Sequence, residues 1–412
     1  MGGLEVVDHE IGVPLVHAAP DGRELRLYAR EVRRPGDGWG RPALLFLQGG
    51  PGGESPRPTS IPASPAWLAR ALADYRVVLL DQRGTGRSSP VGMPPAGPSG
   101  DTSPKALAET LTHYRADAIV RDAELLREHL GIRKWSVLGQ SFGGFCALTY
   151  LSIAPESLRE VFFTGGLPAV GMPVDEVYAA TFERMIELSR RHHRQFPADA
   201  ERLREASAAC ERGDVVLPTG EPLSAQQLRS IGGQLGMAGG SEAIHYLLER
   251  DPLSPGFRHG LLELLPFTGK APLYTLVHEA CYADGGATRW SSARVRPAAY
   301  EQDQTLLTAE HVFPWHLQEC AELRPWAAAA DLLAEHEWPR LYDEAVLAGV
   351  DVPCAAAIYV DDPFILREHS MQTAQLLPTL RPWITNELLH NGLRTHGDAL
   401  LDRLIGMARG GW

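Results

Sequence analysis

Residues 139 to 144 read Gly-Gln-Ser-Phe-Gly-Gly, between the apolar run Trp135-Ser136-Val137-Leu138 and the helix-forming stretch Phe145-Cys146-Ala147-Leu148-Thr149-Tyr150-Leu151. A serine in that setting sits on a sharp strand-to-helix turn, in a strained backbone conformation that leaves room only for small neighbours. Gly139, Gly143 and Gly144 supply them. The demand on the fold is severe, because a strand must end and a helix begin around one residue held clear of both. Ser141 is therefore the candidate nucleophile. A bare Gly-x-Ser-x-Gly also occurs in ordinary glycine-rich turns, and it is the flanking strand and helix that select the catalytic reading.

The 412 residues leave room for two or three domains, and 44% hydrophobic with 22% charged residues is ordinary soluble composition able to bury a large core. The first ten residues, Met-Gly-Gly-Leu-Glu-Val-Val-Asp-His-Glu, lack the basic stretch and apolar run of a signal peptide. No segment approaches the ~20 apolar residues of a membrane span. Cys146, Cys210, Cys281, Cys320 and Cys354 are scattered without metal-ligand or disulfide-framework spacing, which suits a reducing interior and makes the cytoplasm the expected location. A net charge of -12 disfavours nucleic acid, whose binding needs a positive surface. It leaves a cationic substrate open.

Strand and helix signals alternate through the first part of the chain. Gly12 to His17 and Glu24 to Val32 read as β-rich, and Pro42 to Leu47 is a short apolar run suited to a buried strand. A helix over Pro65 to Asp74 and a strand over Tyr75 to Leu80 follow. Tyr114 to Leu130 then has the apolar spacing of an amphipathic helix, closed by Gly131. After a strand at Glu160 to Gly166 the pattern becomes helical until about Gly349. Strands resume at Val352 to Val360 and Arg381 to Leu388, before a helix at Asp398 to Ala408. The expectation is an α/β fold, a mostly parallel sheet flanked by helices, with its core divided between 1–166 and 350–412 and a helical cap inserted at 167–349. Pro90 to Pro104 is the one strongly Pro/Gly/Ser-rich loop.

A serine hydroxyl needs a histidine base, and the histidine needs a carboxylate to fix its tautomer and stabilise its charged form. In an elbow fold the chain order is serine, acid, histidine. Asp361 and Asp362 follow the strand ending at Val360, and Asp362 is favoured because the acid normally occupies the turn just past the strand. His390 follows the next strand and is favoured over His396, which lies beside Gly397 at the start of the last helix. The oxyanion hole needs two backbone amides. Phe142 supplies one, and the turn Gln48-Gly49-Gly50-Pro51-Gly52-Gly53 the other, through Gly50.

Taken together, these motifs resemble the proline iminopeptidases of the α/β-hydrolase fold. Gln48 to Gly53 looks like that family's Gly-Gly-Pro-Gly turn, Asp81 to Ser88 like its Asp-Gln-Arg-Gly-x-Gly-x-Ser loop, and Gly139 to Gly144 like its elbow. The likeness extends to Thr164-Gly165-Gly166-Leu167-Pro168, to His245-Tyr246-Leu247-Leu248-Glu249 and Leu276-Val277-His278-Glu279-Ala280 in the cap, and to Thr385 to Arg394, as in the larger branch of the family. Gln48 departs from the short branch, where a histidine is usual.

The resemblance implies removal of N-terminal proline from small peptides, without cofactor or metal, with the substrate's free amine anchored by cap glutamates. Glu279 is the best match, Glu242 the second, and Glu249 a rival for either place. A cationic proline nitrogen would favour a partly buried carboxylate pair and reject blocked N-termini. Asp81 and Arg83 read as a structural ion pair. Cys146 and Cys281, near the elbow and Glu279 in sequence, are expected to make the site sensitive to thiol reagents.

Overall fold

The computed structural model describes residues 3–60, 63–92 and 100–411, so part of the Pro90 to Pro104 loop lies outside the described residues. The apolar runs become strands: β1 (Glu5–Pro14), β2 (Glu24–Arg33), β3 (Ala43–Leu47), β4 (Arg76–Asp81), β5 (Trp135–Gln140), β6 (Leu158–Thr164), β7 (Cys354–Tyr359) and β8 (Leu380–Thr385). They form one sheet in the order β1-β2-β4-β3-β5-β6-β7-β8. The first two pairings, β1 with β2 and β2 with β4, are antiparallel; the rest are parallel. Between β6 and β7 every named element is a helix. Among the described residues no helix is long and apolar enough to cross a membrane.

Alternation along the central strands divides their side chains between two cores. Leu45, Leu47, Val78, Leu80, Val137 and Val161 face the helices Ala116–His129 and Phe142–Ile153. Leu44, Phe46, Val77, Leu79, Leu138 and Phe162 face the helices Leu68–Asp74 and Gly397–Ala408. Strands buried on both faces read as unbroken apolar runs because neither face meets water. β1 is different. It lies at the sheet edge, alternates half-buried with exposed residues, and is held by cross-strand ion pairs such as Arg30 to Asp8 at 2.9 Å. The sequence reading therefore placed its start too late, at Gly12.

The loop after β4 corrects one expectation. Asp81 and Arg83 do not pair with each other. Asp81 is buried and accepts from the backbone amides of Ser55 and Arg87 and from the Arg57 guanidinium, which approaches to 2.6 Å. Arg83 lies in the turn after the strand, where the alternation of faces no longer holds, and turns to other partners. It donates to Asp122 through Nε at 2.7 Å and to the carbonyls of Pro14, Leu15 and His113. This motif thus ties the antiparallel edge, the core helix Ala116–His129 and the loop before it into one buried network.

Removing one partner of a buried ion pair leaves the other charge stranded. Asp122→Ala is expected to lower unfolding free energy by about 3–5 kcal/mol in urea titration. Arg87→Ala, whose partners Asp8 and Glu10 are solvated, is expected to cost less than about 1 kcal/mol.

Candidate active site

Ser141 stands between β5 and the helix Phe142–Ile153 with φ 54° and ψ -126°, a conformation rarely adopted by a residue with a side chain. The surroundings enforce it. A Cβ at Gly143 would run into the carbonyl of Leu47, and one at Gly144 into that of Gly166, so the ends of β3, β5 and β6 converge on the elbow. The Ser141 amide donates to the Thr164 carbonyl at 3.1 Å, and the Gly144 amide closes the first turn on the Ser141 carbonyl at 2.7 Å. Gly49, before Gly50 in the glycine turn, lies against the Ser141 side chain. Phe142, the other expected oxyanion donor, opens the elbow helix with its ring buried.

Ser141 Oγ lies 3.0 Å from His390 Nε2, and His390 Nδ1 lies 2.7 Å from Asp362 Oδ2. The other Asp362 oxygen accepts from the amides of Phe364 and Ile365 at 2.9 and 3.0 Å, which locks the carboxylate at the turn beyond β7. The His390 backbone amide donates to the Gly236 carbonyl of the cap, and the Phe364 ring packs edge-on against the imidazole. With Nδ1 donating to Asp362, Nε2 is left to accept from the serine hydroxyl. Burial opposes charging of His390, but the negative charge of Asp362, its hydrogen bond and the charge of Glu310 outweigh that, lifting the imidazole above the ordinary histidine range. The arrangement can take a proton from Ser141 and hold it.

The rival residues lie elsewhere. Asp361 turns to the cap helix Val174–Gln195 and pairs with Arg191 at 2.7 Å. His396 is exposed at the start of the last helix and contacts Thr395. Glu249 is exposed beside His245. Glu242 is exposed, at the rim of a surface cleft of about 400 Å³ shared with Arg191, His192, Glu387 and His396, and none of Ser141, Asp362 or His390 lines it. Glu279 is buried, with its carboxylate accepting from the amides of Ser291 and Ser292 and from the Ser292 hydroxyl.

Glu310 went unnoticed in the sequence. It lies in a loop between short cap helices, where no periodicity or motif marks it. Its carboxylate accepts from the Tyr274 hydroxyl and from Tyr282, and it interacts electrostatically with both His390 and Asp362. Burial pushes the carboxyls of Glu279 and Glu310 up to about 7 each. The aromatic rings of Phe145, Tyr178, Tyr282 and Tyr274 surround this corner of the cap. Cys146 and Cys281 are wholly buried, and burial pushes both thiols far from ionisation, so thiol reagents meet neither a thiolate nor an open path.

Residues 42–212 match the model of the α/β-hydrolase fold family. The whole chain aligns with a proline iminopeptidase of Aeromonas sobria, 42% identical over 99% of this chain and 98% of that protein. A proline iminopeptidase of Aspergillus aculeatus is 32% identical over 96% of this chain and 92% of its own. Among solved structures, a 2-hydroxy-6-oxo-6-phenylhexa-2,4-dienoate hydrolase from Rhodococcus aligns over 98% of this chain and 100% of its own at 15% identity, with a TM-score of 0.44.

If His390 is oriented by Asp362, Asp362→Asn lowers kcat by about 10⁴-fold while leaving KM nearly unchanged, because the imidazole is then held in the wrong tautomer. Steady-state kinetics beside a thermal melt checks this. A melt matching the wild type with kcat within tenfold would contradict the role.

Proposed function

The chain belongs to the proline iminopeptidase family, and on that premise we propose that it releases N-terminal proline from small peptides through an acyl-enzyme on Ser141. The hydrogen-bonded line Ser141, His390, Asp362 carries the reading. Ser141 Oγ attacks the proline carbonyl as His390 Nε2 takes the hydroxyl proton. The tetrahedral oxyanion is met by the backbone amides of Phe142 and Gly50. His390 passes its proton to the departing amine of the shortened peptide, leaving prolyl-Ser141. Water, deprotonated by His390, attacks this ester, and the serine leaves with the proton returned to it.

We further propose that the free amine is held by Glu310, with Glu279 as the second buried carboxylate. Glu310 replaces Glu242 here because it shares an electrostatic neighbourhood with the proposed triad, whereas Glu242 lines a separate cleft. A proline nitrogen is cationic at neutral pH and carries a donor pair that an acylated nitrogen lacks. Its charge draws Glu310 into the ionised form; without it burial leaves the carboxyl only partly ionised at neutral pH. Selectivity for a free N-terminus therefore follows from desolvation as well as attraction.

Hydrolysis of proline β-naphthylamide beside its N-acetylated form tests both parts, with the free form cut and the blocked form left intact. Cleavage of a simple ester with neither proline substrate touched would keep the hydrolase and remove the amine anchor. Glu310→Gln is expected to raise KM for the free substrate roughly 10–100-fold at neutral pH, the cost of a lost charged hydrogen bond. For the wild type, kcat/KM falls as the pH drops below about 7, where Glu310 takes up its proton, and protonation of His390, raised above the ordinary histidine range by Asp362, adds to the loss.

A further inference from the structure

His278 opens the short cap helix His278–Tyr282 and is 1% exposed. Neither of its ring nitrogens has a hydrogen-bond partner. A buried imidazole with both nitrogens idle is costly, and such groups call for an explanation. Its Nε2 lies 3.7 Å from Glu310 Oε2, too far for a hydrogen bond yet within reach of one after a shift of less than about 1 Å. The ring stands edge-on to Tyr274, with centroids 5.1 Å apart, and contacts Phe267 and Tyr282. It is thus held by rings and by the backbone of Glu310, with Nε2 beside the carboxylate.

We infer that His278 is a positioning residue for substrate binding: its ring N–H closes on Glu310 and completes the carboxylate's donors whenever that anchor ionises, in the free protein at higher pH or when the ammonium of an N-terminal residue arrives. This rests on the reading of Glu310 as the amine anchor. Before substrate enters Glu310 is protonated part of the time, and the protonated carboxyl has little need of a further donor beside the hydroxyls of Tyr274 and Tyr282. Once ionised, the carboxylate accepts from those two hydroxyls, from the ammonium and from His278. The charged groups facing this corner are Asp362, His390 and Arg394 on the core side and Glu279 within the cap, with neutral His311 beside His278. Burial holds His278 itself down to about 3, so it stays neutral throughout and offers one N–H and no charge. No proton changes hands. The gain is a hydrogen bond made only to the ionised anchor.

The test compares His278→Leu and His278→Phe, which lack the donor, with His278→Gln, whose amide N–H can replace it. KM and kcat for proline β-naphthylamide are followed across the neutral range. The non-donor variants are expected to raise KM roughly tenfold with kcat little changed, and to move the acid limb of kcat/KM to higher pH; His278→Gln recovers both. A merely structural role would lower the melting temperature without moving that limb. An acid limb coincident with the wild type in either folded non-donor variant overturns the inference. Should neither fold, the ring nitrogens of His278 are read by NMR in Ser141→Ala protein titrated with prolinamide. A downfield shift of the ring N–H on saturation supports the contact, and an unmoved signal overturns it. Wild-type enzyme that cuts N-acetylated and free substrate equally would instead remove the anchor reading itself.

Discussion

Everything in this molecule hangs on the backbone packing at the elbow. Ser141 is held at positive φ because three strands and a helix meet there with no room for side chains between them. Each close approach is a carbonyl or Cα of one segment against the glycine Cα of another, so the ends of β3, β5 and β6 are registered to one another with little freedom. That register sets the positions of the loops leaving the same ends of the sheet. Asp362 leaves β7 and is fixed by two amides of its own turn; Gly165, which follows β6, packs against both Asp362 and His390. The strain at Ser141 is of the order of 1–3 kcal/mol, and a core buried on both faces of the sheet holds it.

The cap adds a second physical theme, the cost of burying charge. Arg115, at the start of a core helix, is buried with its Nε 3.8 Å from the half-buried Asp117 and donates to the carbonyls of Ala280, Ala283 and Pro339. One guanidinium thereby joins the sheet domain to two cap segments, including the one that carries His278 and Glu279. The same dry environment makes Glu279 and Glu310 reluctant to ionise. A site of this kind is quiet until a cation enters, when desolvation turns from a penalty into a source of discrimination. The charge on Glu310 also reaches His390, so the proposed amine anchor and the proposed general base share one electrostatic neighbourhood.

Much of this was legible in the sequence, for identifiable reasons. Strands buried on both faces write themselves as apolar runs, and the elbow writes itself as glycines around a serine, so β3 through β7 and Ser141 were readable. The meeting of Asp362 and His390 with Ser141 was readable because chain order and strand ends restrict where such partners can lie. β1 was cut short because an edge strand satisfied by ion pairs lacks the apolar run. Asp81 and Arg83 were misread as a pair because adjacency in sequence says little about direction once a strand has ended. Glu310 and His278 were not legible as a pair. Thirty-two positions separate them, and only the folding of several short cap helices brings them to 3.7 Å.

The central claim is that a prolyl group passes through Ser141. The most direct measurement is rapid quenching of the enzyme with a proline ester at acid pH, followed by peptide mass spectrometry. The account predicts one prolyl mass increment, confined to the peptide that contains Ser141 and absent from the Ser141→Ala protein. Turnover with no covalent increment, or an increment on another residue, would contradict it.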